Sequence, residues 1–248
     1  MKLRYILLEL DYDTYRVTDN KLRYEFLLHT RYISNWFSRA IRKYKFDTDG
    51  VFKMISIDLL PENQLKQTRI CTMDVLSTYL PFDQQRYEKT KGTADCSYYL
   101  ELLELGFKKA ALFRPIPLEI LLNLIEEFKN AGCKNEWIHK KRRFPEEDLQ
   151  IILTCEFTTN YFQLFITINR ISTKTKLVEG AIIKTEPDEI VFEKTFKDVY
   201  VDDRIVITDS LDRPRIIIDK KKAIAGELCF DILQEDECNY KEILSRRF

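Results

Sequence analysis

The hydrophobic period of this 248-residue chain changes once along its length, and that change limits the folds open to it. From Lys21 to Tyr44 the apolar residues Leu22, Phe26, Ile33, Trp36, Phe37, Ala40, Ile41 and Tyr44 recur at steps of three and four, which places them on one face of a long helix. From Leu149 onward the period is two. Leu149, Ile151, Leu153, Cys155 and Phe157 alternate with more polar neighbours, TTN turns the chain at 158–160, and Phe162, Leu164, Ile166 and Ile168 alternate again. A helical period followed by an alternating one predicts an α+β fold: a helix-rich N-terminal part with a few strands, then an antiparallel β meander. The division expected is 1–134 and 135–248, either as two parts or packed as one domain, with the stretch from Lys134 to Asp148 read as the connecting loop.

Within this frame Tyr5–Leu10 and Val51–Leu59 read as strands, and residues 66–76 as a partner of the second. The polar segment DQQRYEKTKGTAD, 83–95, reads as an exposed loop. Between Tyr98 and Ala131 at least two helices are expected, the second with Pro117 at its first position and Gly132 as its stop. Further extended runs are Leu177–Lys184, Glu189–Phe196, Arg204–Thr208 and Arg215–Asp219. The segment 220–248 is ambiguous, its last part fitting a strand followed by a short helix.

With 45% apolar residues, 16 Phe and 13 Tyr, the chain is too apolar to stay disordered. Its 40 basic and 40 acidic residues give no overall attraction to phosphate or anionic lipid. The balance is uneven, however: residues 1–145 carry +6 and residues 146–248 carry −6. Six cysteines without a C-x-x-C pair are expected to be reduced and mostly buried. In MKLRYILLELDYD the apolar run ends at Glu9, too soon for a signal segment or membrane span, so a cytoplasmic, non-membrane protein is expected.

The stretch YILLELDYDTY ends an apolar strand in Asp11-x-Asp13-Thr14. It resembles the opening of haloacid-dehalogenase-type phosphatases and phosphotransferases. That resemblance implies Asp11 as nucleophile, Asp13 as acid/base and a neighbouring magnesium ion. Tyr15 stands where that family has Thr or Val, and no later G-D-x-x-x-D supplies further metal carboxylates. His29 and His139 are the only histidines, without a metal-binding spacing, and His29 is expected to serve packing. The glycines never lie closer than 14 residues apart, so no phosphate-cradling loop, and no cofactor, is expected. EPDEIVFEK, 186–194, imitates a nuclease core, but its final Glu and Lys are adjacent and would point to opposite sides of a strand.

Three charged groups remain. Basic aromatic segments lie at 31–46, with Arg31, Arg39, Arg42 and Lys43 expected on the helix exterior, and at 137–144, where Lys140, Lys141, Arg142 and Arg143 are consecutive. Asp198, Asp202, Asp203, Asp209, Asp212 and Asp219 form an acidic set over successive strand ends. A rigid acidic β surface can fill the basic cleft of a toxin or nuclease. The leading expectation is therefore a non-enzymatic, intracellular protein-binding module of the immunity type, with another protein as partner. One alternative is a nucleic-acid-binding protein using 31–46 and 137–144; the other is a metal-dependent phosphatase or nuclease using Asp11 and Asp13.

Overall fold

A computed structural model of the chain describes residues 1–188 and 195–233. The fold is mixed α+β and divides into two compact units, residues 1–135 and 136–248. The first unit is built on a mostly parallel sheet. Strand β1 (Tyr5–Leu10) leads through helices α1 (Tyr12–Thr18) and α2 (Asn20–Tyr44) to β2 (Met54–Leu60); β3 (Arg69–Cys71), β4 (Val75–Pro81), α3 (Gln84–Thr90), α4 (Ser97–Phe113) and α5 (Leu118–Asn130) follow. The strand order is β1-β2-β4-β3. The first three run parallel in straight register, Leu8 beside Ile57 and Ile57 beside Thr78, while β3 is antiparallel to β4.

The expected pairing of residues 66–76 with β2 is thus corrected. Met73 and Asp74 both adopt left-handed φ, 62° and 60°, and fold β3 back onto β4, so that β4 takes the place beside β2. The expected loop at 83–95 contains helix α3. Its N-terminus is capped by Asp83 Oδ1, which accepts from Arg86 N at 3.0 Å, and its one large apolar residue, Tyr87, is fully buried against Phe26 and Phe82. The expectation of reduced thiols fails for one pair. Cys96, just before α4, and Cys133, just after α5, are joined as a disulfide 37 residues apart, while Cys71, Cys155 and Cys229 form no disulfide. Two helices folding back on each other bring these ends together; Cys238 lies outside the described residues.

Alternation gives each strand two faces. Ile55, Ile57 and Leu59 of β2, with Leu76 and Leu80 of β4, share the apolar one. Gly106 of α4 lies so close to it that a Cβ there would sit 2.5 Å from Ile57 Cδ1. Phe26 and Phe37 of α2, Phe107 of α4 and Phe128 of α5 are all fully buried, with Phe37 within 6.2 Å of Phe107 and 5.8 Å of Phe128 between ring centres. Each such side chain contributes about 2–3 kcal/mol by leaving water. Strand β1 is an edge, whose free backbone groups invite another chain. Here α2 satisfies them: Ser38 Oγ accepts from Ile6 N (2.9 Å) and donates to Ile6 O, Ser34 Oγ accepts from Leu8 N (3.2 Å), and Thr30 Oγ1 donates to Leu8 O (3.2 Å).

The second unit holds two four-stranded antiparallel sheets. One has the order β5 (Asn135–Phe144), β6 (Leu149–Phe157), β7 (Phe162–Arg170), β8 (Lys176–Thr185). The other has the order β12-β11-β10-β9, from β9 (Asp198–Val201), β10 (Ile205–Thr208), β11 (Pro214–Ile218) and β12 (Phe230–Ile232), with helix α6 (Lys220–Ile224) between the last two in sequence. The β6–β7 hairpin buries every second residue, as its alternation requires. The basic segment 137–144 is not a loop but most of β5. Of the extended run Glu189–Phe196, residues 189–194 lie outside the described residues, as does most of the nuclease-like EPDEIVFEK; so does everything after Leu233, leaving only residues 220–233 of the ambiguous C-terminal segment in view.

Candidate functional site at the carboxyl end of the parallel strands

The face of the first sheet opposite the apolar one is polar. Straight register puts Leu7, Ser56 and Ser77 in one row and Glu9, Asp58 and Tyr79 in the next. Ser56 Oγ donates to Asp58 Oδ1 at 2.6 Å and lies 3.4 Å from Glu9 Oε1, so a single hydroxyl bridges the two carboxyl groups. Burial, and then the neighbouring Asp58 charge, push the Glu9 carboxyl up to about 7; Arg23 and Arg31 oppose the rise. Burial also raises Asp58, against hydrogen bonds from Ser56 and Ser77. When Glu9 holds its proton it can donate to Ser56 Oγ, which donates on to Asp58. The three groups form a proton-carrying chain poised near neutrality.

At the row's far end, the Tyr79 hydroxyl is pushed up to about 12 by burial and by Cys71, and it accepts from Arg69 Nε at 3.1 Å. Just beyond β1, Asp11 Oδ1 accepts from Thr14 N at 2.9 Å and so caps α1, while Lys66 Nζ donates to both carboxylate oxygens at 3.0 and 2.8 Å. Burial alone would raise Asp11, but the hydrogen bonds from Lys66 and Thr14 outweigh it and hold the carboxyl below its ordinary value. The next residue, Tyr12, is half exposed. The guanidinium groups of Arg16 and Arg23 lie 5.5 and 4.9 Å from its ring centre, and Val17, next to Arg16 in sequence, is 79% exposed. Arg23 therefore belongs to both groups: it stacks on Tyr12 and its charge reaches Glu9. In parallel α/β units this end of the strands is where ligands meet the chain.

Sequence reasoning singled out Asp11 but missed Glu9, Ser56, Asp58 and Tyr79. The signal was present as polar residues two apart, Ser56 and Asp58, inside an otherwise apolar strand. Asp13 does not join Asp11: it is exposed in the first turn of α1, while Asp11 is turned toward Lys66. Among the described residues no group of three His, Cys, Asp or Glu is placed to hold a metal ion.

The charged segments are largely engaged with each other. Lys140 and Arg142 of β5 pair with Asp198 at 3.3 and 3.2 Å, while Lys141 and Arg143 are exposed. His139 Nε2 lies 2.9 Å from Phe196 O. Asp209 is buried and accepts from Arg213 and the fully buried Arg215; those hydrogen bonds overcome its burial and hold it at about 2. Asp212 pairs with Lys197 at 2.7 Å, Asp202 accepts from Arg204 N, Asp203 is exposed, and Asp219 caps α6. In the other basic segment, Arg39 donates to Asn35 and Asn135, and Arg42 to the carbonyls of Arg4 and Ser38; Arg31 is half-buried and Lys43 exposed. His29 lies beside the Tyr87 ring.

No known protein family matches the chain, and neither the curated proteins nor the solved structures include a significant match to it.

Proposed function

We propose that the chain is a non-enzymatic protein-binding module of the cytoplasm, immunity-like in working by covering a partner's surface, and that it binds through the corner where α1 meets α2. The observation that carries this reading is the half-exposed Tyr12 with two arginines over its ring, on a helix that also exposes Val17. Aromatic and arginine side chains are the groups enriched at the energetic centres of protein interfaces. The Asp11 cap and its Lys66 bridge fix the corner before any partner arrives, which lowers the ordering cost of binding. Guanidinium groups favour an acidic partner surface. The acidic set of the second unit gives less support, because Asp198, Asp209 and Asp212 already have cationic partners. No helix among the described residues is long and apolar enough to cross a membrane.

The test is capture of partners on the immobilised full chain, compared with Tyr12→Ala and with Lys141→Glu/Arg143→Glu, each checked for native circular dichroism. Loss of an anchor of this kind weakens binding by about thirty-fold, so Tyr12→Ala should release a protein partner that the double charge reversal still retains. Unchanged capture by Tyr12→Ala overturns the reading. Recovery of nucleic acid, lost on charge reversal and sensitive to salt, would replace it with the nucleic-acid alternative.

A further inference from the structure

The Cys96–Cys133 pair lies where it can react. Both residues line a surface cavity of about 410 Å3 between α4 and α5. Their Cα atoms are 6.4 Å apart, within the span a disulfide bridges without backbone movement. The two sulfurs differ in surroundings. Cys96 is buried and occupies the N-cap position of α4, a 17-residue helix, and its side chain makes no capping hydrogen bond. Cys133 is half-buried, just past Gly132, at the far end of the α4–α5 hairpin. Asp95, Glu101, Glu104 and Glu126 line the cavity against Lys129; Arg86 pairs with Glu101 and Lys108 with Glu104, which leaves the lining one net negative charge.

We propose that Cys96–Cys133 is an exchangeable redox crosslink, opened through this cavity by small thiols that carry no net negative charge. An incoming thiolate attacks the more exposed Cys133 Sγ. The S–S bond breaks, its electron pair leaves on Cys96 Sγ at the N-cap position of α4, and the positive end of that helix favours the thiolate until it takes a proton from water. A second thiol then attacks the mixed disulfide, freeing Cys133 and releasing the oxidised small disulfide. Two small thiols are oxidised as one protein disulfide is reduced. The acidic lining disfavours glutathione, whose reactive form is anionic, and admits cysteamine, whose ammonium group offsets its thiolate. In the reduced state the start of α4 and the end of α5 lose their covalent tie. Such reversible bonds are the usual kind where compartments are reducing.

The full chain is equilibrated with glutathione disulfide, exposed to cysteamine or glutathione at low ionic strength, then alkylated under native conditions and read by peptide mass. Cys96 and Cys133 should be unlabelled before the thiol and labelled together after it. Cysteamine should act about ten-fold faster than glutathione, from the charge of the lining at low screening. High salt or Glu126→Lys should narrow that ratio. Labelling of both residues without added thiol shows no bond and overturns the proposal. A bond that opens only in denaturant overturns it as a purely structural crosslink, and equal rates for the two thiols overturn the role of the acidic lining.

Discussion

The Glu9–Ser56–Asp58 chain makes the stability of the first unit depend on pH in a direction opposite to that of most carboxylates. A carboxyl moved from 4.5 to about 7 has its charged form disfavoured by about 3 kcal/mol. Glu9 keeps some contact with water, and that contact reduces the expected effect to about 2 kcal/mol. Between those two values the folded state binds more protons than the unfolded one, so stability falls as pH rises. The stabilisation is complete below the unfolded value, near 4.5, and gone once the pH passes about 7. Asp58, also raised by burial, adds a loss of the same sign. Glu9→Gln keeps the shape and removes the titration. Urea unfolding followed by Trp36 fluorescence, with Trp137→Phe silencing the other tryptophan, isolates the first unit. The variant should match the parent near pH 5 and exceed it by about 2 kcal/mol near pH 8. Because both proteins share every other group, their difference is free of all titrations except that of Asp58, which is coupled to Glu9. A difference that does not vary with pH, or one that shrinks toward alkaline pH, refutes the shared-proton arrangement.

Two substitutions test the packing. Gly106→Ala would place a methyl group 2.5 Å from Ile57 Cδ1 and should cost about 1–3 kcal/mol by overpacking; adding Ile57→Val should recover part of that loss in the same urea titration, and simple additivity would argue against the contact. In the second unit, Asp209→Asn removes the carboxylate on which Arg213 and the buried Arg215 converge, with an expected loss of about 3–5 kcal/mol. Trp137 fluorescence would read it in a Trp36→Phe background, and a loss below 1 kcal/mol would mean that water replaces the carboxylate.

Elements whose own residues bury one face were legible in the sequence: α2 from its steps of three and four, the β6–β7 hairpin from its alternation, and β1 from its apolar run. Strand β5 was not, because four consecutive cations look unsuited to a strand until their partner is known. Lys140 and Arg142 both turn to Asp198, more than fifty residues further on, and no local window contains that carboxylate. Helix α3 was hidden by having Tyr87 as its one buried residue. For the candidate site, Asp11 could be read from its place after an apolar strand. Its engagement by Lys66 could not, nor could the meeting of Glu9 with Ser56 and Asp58, since both depend on strands β1 and β2 lying in straight register across a long helical crossover.

The hydroxyls at 30, 34 and 38 make one side of a helix act as a short extra strand, and its length is bounded by arithmetic. Four residues of helix advance about 6.0 Å, whereas two residues of strand advance about 6.6 Å. Ser34 and Ser38 meet Leu8 and Ile6 with little mismatch, but each further step would add about 0.6 Å of drift. Such a helical cap works as a vernier: it can lock one sliding position against a six-residue edge, and it would fall out of phase along a strand twice as long. Lengthening β1 would therefore uncover fresh edge for other chains to join.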